Sequence, residues 1–91
     1  MSGATAELIR SRLQAGLHPV RLDVRDDSHL HAGHPGAREG GHYHVTIVAE
    51  VFRGLPPLAR HRRVYAALGD LLPGRIHALS IEAQLPENRA P

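Results

Sequence analysis

The sequence of 91 residues is the size of one small domain, and its net charge is +2 with histidine neutral. It contains no cysteine, which excludes disulfides and thiolate ligands and fits a reducing compartment such as the cytoplasm. Its mild basic excess gives little support to nucleic-acid binding by itself. We expect no membrane segment, because no apolar run approaches about 18 residues, and no signal peptide, because the first residues lack its basic and apolar pattern.

The first half of the chain predicts a helix followed by a strand. Residues 4–16 show helical periodicity, and Gly16 suits the end of that helix. The apolar residues of its stripe are Ile9, Leu13 and Leu17. Residues 19–26 alternate between apolar and charged side chains, as in a half-buried strand. Its apolar face would contain Val20, Leu22 and Val24.

The second half predicts a strand, a longer helix and a third strand. The glycine-rich residues 27–41 read as a loop, and residues 42–52 as a strand. Residues 57–72 form the longer helix, and residues 75–85 the last strand. The helical stripe comprises Leu58, His61, Val64, Tyr65, Leu68 and Leu72. One face of the last strand comprises His77, Leu79, Ile81 and Ala83.

These elements define an α+β domain with the order α-β-β-α-β. The first two strands would pair antiparallel, and a right-handed crossover would place the third strand parallel to the second. Two helices on one face of this three-stranded mixed sheet would bury the apolar faces. We expect one domain over residues 1–91, with a core of about 4–86, a frayed PENRAP segment and a flexible tail at 87–91.

Histidine is concentrated in the segment that separates the first two strands. Five of the eight histidines lie in residues 29–44, which also contain four glycines and one proline. A solvated loop is one explanation. A metal site is the other, because imidazole is the main metal ligand available to a chain without cysteine.

Three segments carry a resemblance to the BolA family over about residues 6–86. They are DDSHLHAGHPGA at 26–37, HYHVTIVAEVFRGLPPLARHRRVYAAL at 42–68, and RIHALSIEA at 75–83. BolA proteins have the α-β-β-α-β fold, which is similar to the class II KH fold. The resemblance therefore implies the same architecture that the periodicity predicts.

The resemblance also implies a shared metal cluster. BolA proteins pair with monothiol glutaredoxins of the CGFS type, and the pair holds a bridging 2Fe–2S cluster with glutathione. The BolA ligand on the last strand matches His77, and the loop ligand falls on His31, with His34 as its main rival and His29 behind it. We expect no tightly held cluster in the isolated chain, which would be a monomer or a weak dimer. Whether the pair delivers, stores or senses clusters stays open.

Three other functions compete with this hypothesis. BolA proteins are also described as DNA-binding transcriptional regulators of stress response and cell morphology, and Arg60 and Arg63 could face DNA or a partner, although the G-x-x-G loop of KH domains is missing. A mononuclear zinc site could form from His29, His31 and His34, with a contribution from the HYH segment at 42–44. An enzyme is not expected, because Asp26, Asp27 and Ser28 are adjacent residues and nothing resembles an oxyanion hole or a phosphate loop.

Overall fold

A computed structural model describes residues 3–27, 41–72 and 75–88 of the chain. The helices and strands are α1 (Gly3–Leu17), β1 (Arg21–Asp26), β2 (Gly41–Val48), α2 (Pro57–Leu68) and β3 (Ile76–Gln84). Short 3-10 turns follow β2, α2 and β3, at Glu50–Phe52, Gly69–Leu71 and Pro86–Asn88. The predicted order is confirmed. Neither helix in these ranges has the length and apolar character needed to cross a membrane.

The strands form a single mixed sheet with β2 in the centre. β1 pairs with β2 antiparallel, so that Val24 lies opposite Val45. β3 pairs with β2 in parallel, so that Tyr43 lies opposite Leu79. This is the predicted topology. Because β2 and β3 run in the same direction, the chain must return along the sheet between them. A short turn cannot span that distance, and α2 provides the crossover.

The core lies between the two helices and one face of the sheet. It is aliphatic apart from Phe52 and Tyr43, as the composition requires. Its fully buried side chains come from all layers: Ile9, Leu13, Val45, Ile47, Val48, Phe52, Val64, Leu68 and Ile76. Each contributes roughly 1.5–3 kcal/mol when it leaves water, so this small core depends on a few side chains.

The end of α1 differs from the prediction. The helix continues through Gly16 to Leu17, and His18 then adopts a left-handed conformation with φ of 48°. A Cβ atom at Gly16 would lie 3.2 Å from the Cβ of Ala67 on α2. The glycine therefore permits close helix packing, and His18 takes the place that glycine commonly occupies after a helix.

Two strand boundaries also differ from the prediction. β1 begins at Arg21, and Val20 is 59% exposed instead of lying in the core. β2 ends at Val48 rather than at residue 52, and the following 3-10 turn brings Phe52 into the core. The alternating pattern predicted this end of the strand incorrectly. A strand that continued to residue 52 would point Phe52 away from the core, whereas the turn buries it.

The predicted apolar stripe of the long helix is divided between two faces. α2 ends at Leu68, since Gly69 adopts a φ of 53°. Val64 and Leu68 are fully buried, whereas Leu58 and Tyr65 are 62% and 43% exposed. Only the first pair belongs to the core.

The described residues after β3 form a short turn that is tied to the domain. Pro86–Asn88 forms a 3-10 turn, and Arg53 donates a 2.9 Å hydrogen bond to Glu87. Whether the PENRAP segment frays stays a prediction.

Candidate metal centre at the start of β3

An irregularity in the sheet determines where His77 points. Gly41 pairs with Ile76, but the next residue of β2, His42, pairs with Ala78. One residue of β3, His77, is therefore extra, which is the definition of a β-bulge. Ile76 takes the buried position, and His77 is exposed. The prediction that His77 shares the face of Leu79 is wrong, because the bulge interrupts the alternation between them.

The bulge places His77 beside a second histidine. The ring centroids of His42 and His77 are 5.1 Å apart, and the rings are tilted by 44°. His42 precedes the buried Tyr43, so it projects from the face of the sheet that carries no helix. The sequence predicted at most a contribution of the HYH segment at 42–44 to a zinc site, and no contact between His42 and His77. The predicted parallel pairing could have indicated this contact, because it brings the starts of β2 and β3 together.

Both ends of the histidine-rich segment are attached next to this pair. The amide of Asp27 donates a 2.7 Å hydrogen bond to the carbonyl of His42. The amide of Gly41 donates a 3.1 Å hydrogen bond to the carbonyl of Arg75, two residues before His77. The segment between residues 27 and 41 thus begins and ends at the His42–His77 pair.

The neighbouring outer surface of the sheet is polar and contains both charge signs. Nε2 of His44 lies 3.5 Å from Oε2 of Glu82. Arg25 makes a bidentate hydrogen bond to Asp27, with distances of 2.8 and 3.1 Å. This hydrogen bond raises the pKa of Arg25 further above its ordinary value. The surface next to the histidines is therefore paired internally, without a strong excess of either charge.

The predicted loop ligands lie outside the described residues. These are His29, His31 and His34. Within the described ranges no group of three or more metal-ligating side chains is close enough to hold a metal ion. The described part of the chain thus supplies two neighbouring imidazoles, which is fewer donors than a closed site requires.

The two predicted surface arginines have different environments. Arg60 is half-buried, and its guanidinium donates hydrogen bonds to the carbonyls of Leu55 at 2.8 Å and Ala83 at 3.1 Å. It therefore ties the start of α2 to β3. Arg63 is exposed, as is its neighbour Arg62. A role of Arg60 and Arg63 in binding DNA or a partner stays a prediction, and Arg60 already has a structural role.

Two helices on one side of a three-stranded mixed sheet, in the order α-β-β-α-β, define the class of this domain. A family model described as BolA-like protein matches residues 13–88. The chain belongs to the BolA family.

Individual relatives support this assignment. BolA-like protein 1 of Bos taurus is 43% identical over 84 residues, which cover 92% of this chain and 61% of that protein. The SufE-like protein 1 of Arabidopsis thaliana is 39% identical over 90 residues, which cover 92% of this chain and 24% of that protein. The chain thus spans less than two thirds of the length of either relative.

A solved structure supports the fold assignment directly. The BolA domain of SufE1 from Arabidopsis thaliana matches with a TM-score of 0.83 and 41% identity, covering 94% of this chain and 96% of that domain. This match confirms the α+β fold that was predicted from periodicity.

Proposed function

We propose that this protein is an adaptor of iron–sulfur metabolism that acts with a monothiol glutaredoxin. In this complex the protein would supply two histidine ligands to a bridging 2Fe–2S cluster, and the partner and glutathione would supply thiolates. His77 is the ligand from the fold, and His31 is the first candidate for the loop ligand, with His34 as the alternative. When bound, the cluster would supply redox-active, transferable iron and sulfide.

The observation that carries this proposal is the exposed His77 beside His42. Imidazole is a borderline ligand that suits iron, and histidine can replace thiolate on one iron of a 2Fe–2S centre. A bulge gives His77 a fixed and accessible position, since bulges redirect a side chain out of the regular alternation. The described residues supply only two neighbouring imidazoles. This arrangement suits one half of a cluster site whose other ligands come from another molecule.

The attachment of the histidine-rich segment supports a ligand from the loop. Its two ends are hydrogen bonded to the backbone of His42 and Arg75. The segment that contains the candidate loop ligands is therefore joined to the sheet at residues close to His77. The presence of a related domain in a SufE-like protein is a further argument for iron–sulfur metabolism.

The proposal can be tested by visible circular dichroism of a cluster-loaded CGFS glutaredoxin with glutathione. We expect addition of the wild-type protein to change the cluster spectrum, and His77→Ala to abolish most of this change. His31→Ala and His34→Ala identify the loop ligand as the one whose loss has the same effect. Binding to the apo glutaredoxin is measured in parallel, so that loss of a ligand is distinguished from loss of the complex.

A suitable control is His18→Ala. His18 is exposed and precedes β1, whereas the His42–His77 pair lies beyond the other end of β1. This variant should behave like the wild type. A wild-type protein that leaves the spectrum unchanged would contradict the cluster function. A full response from His77→Ala would contradict the assignment of the strand ligand alone.

A further inference from the structure

A second stripe of side chains lies on the flank of α2, beside its buried face. Leu58 and Tyr65 are 62% and 43% exposed and lie seven residues apart, on the same side of the helix. Between them lie the half-buried His61 and the exposed Arg62. We call these four residues the outer stripe: Leu58, His61, Arg62 and Tyr65. Their i, i+3, i+4, i+7 spacing is that of a helix face that packs against another element.

The outer stripe lies on a strongly basic helix. Residues 57–68, PLARHRRVYAAL, contain three arginines and one histidine and no acidic residue. Among the described residues, neither Arg62 nor Arg63 forms an ion pair. Several other described arginines are paired with carboxylates, as Arg53 is with Glu50 and Glu87. The stripe therefore presents apolar groups next to an uncompensated positive charge.

The position of the outer stripe separates it from the histidine pair. α2 packs through Val64 and Leu68 on the helix-covered face of the sheet, and its outer stripe lies on the flank of the helix, with Tyr65 about 100° around from Val64. His42 projects from the opposite face. A partner on the stripe would leave the histidine pair accessible.

We propose that the outer stripe binds an acidic amphipathic helix of a partner protein. The apolar side chains of that helix would cover Leu58 and Tyr65, and its carboxylates would pair with Arg62. The charge favours this occupant over a second copy of the chain, because a twofold contact through α2 would bring arginines together. The exposed apolar side chains favour a protein over nucleic acid, since phosphates would leave Leu58 and Tyr65 without an apolar partner.

The test uses two synthetic peptides of about 20 residues, long enough to be helical. One has leucines at i, i+3, i+4 and i+7 flanked by glutamates, and its twin has lysines in place of the glutamates. Titrations are followed by NMR at the Leu58 methyl groups and the Tyr65 ring. We expect the acidic peptide to bind at these positions at least about tenfold more tightly than the basic one. Arg62→Glu should reverse the preference, and Tyr65→Ser should weaken binding of either peptide.

The matched control is Arg63→Glu. It changes the net charge equally, on the same helix, but lies about 100° around the helix from Arg62 and so outside the stripe. It should retain the preference for the acidic peptide. Equal binding of both peptides, or equal effects of Arg62→Glu and Arg63→Glu, would overturn the proposal.

Two further outcomes would also overturn it. One is tighter binding of a DNA duplex than of the acidic peptide at Leu58 and Tyr65. The other is a dimer in sedimentation experiments that Tyr65→Ser dissociates. The result is independent of the cluster function, because His77→Ala should not alter peptide binding and Tyr65→Ser should not alter the cluster spectrum.

Discussion

At the scale of single residues, His18 carries a conformational cost that glycine would remove. Its φ of 48° lies in the left-handed region, and the side chain is exposed. This conformation costs a residue with a Cβ roughly 1–2 kcal/mol, and the greater freedom of glycine in the unfolded chain offsets about 0.4–1 kcal/mol. We therefore expect His18→Gly to increase the free energy of unfolding by up to about 1 kcal/mol.

Urea denaturation at neutral pH measures this difference. His18→Ala serves as the control, because it removes the imidazole and keeps the Cβ atom. If both variants stabilise the protein equally, the imidazole and not the backbone is responsible.

The histidines show what single positions in a sequence can and cannot reveal. His77 was identified through the resemblance, yet its face on β3 was predicted incorrectly. A bulge depends on how two distant segments pair, and regular alternation in one segment does not contain that information. The neighbour His42 was overlooked for the same reason, since its proximity arises only from the parallel register.

At the scale of elements, the packing of α1 against α2 depends on Gly16. A Cβ atom there would be 3.2 Å from the Cβ of Ala67, which is already a tight contact. Helix propensity alone would make Gly16→Val mildly stabilising, because valine is a better helix former than glycine. We expect the opposite, a loss of about 1–3 kcal/mol, because the branched side chain would separate the helices.

Thermal and urea unfolding of Gly16→Val test this expectation. The control is Ala15→Val, at an exposed position one residue earlier in α1. It should cost only the difference in propensity, about 0.5 kcal/mol. A Gly16→Val variant as stable as the wild type would contradict this expectation, because α2 could then move away from α1 without loss of stability.

Periodicity predicted which segments are helices and which are strands, but it did not predict which side chains of α2 are buried. Leu58 and Tyr65 fit the helical repeat as well as Val64 and Leu68 do, so the sequence indicated one broad stripe. The sheet and α1 provide enough surface to bury only part of it. How much of an apolar face is covered is a property of the assembled layers, and this is why the outer stripe became evident only in the structure.

At the scale of the whole molecule, the domain has two separate accessible surfaces. The histidine pair lies at one end of the open face of the sheet, and the outer stripe lies on the helical side. If both proposals hold, the protein can contact two partners at once, which is a physical basis for an adaptor.

The end of the described chain is held to the domain by charge, and this attachment depends on pH. Arg53 bridges Glu50, next to the end of β2, and Glu87, in the turn after β3. Its hydrogen bonds lower the pKa values of both carboxyl groups from their ordinary range. Groups with lowered pKa values stabilise the folded state above their unfolded pKa and lose this contribution as the pH falls through the folded pKa.

We therefore expect the stability of the wild type to decrease below about pH 4.5, partly through Glu50 and Glu87. Arg53→Ala should reduce stability at pH 7 and flatten this part of the profile, because the carboxylates then gain little in the folded state. Unfolding free energies between pH 7 and pH 2.5, with amide exchange in residues 84–88, measure both effects. Arg62→Ala, which removes an arginine without an ion pair in the described ranges, should keep the wild-type slope. If Arg53→Ala and Arg62→Ala give the same slope, net charge rather than the Arg53 bridge governs the acid response.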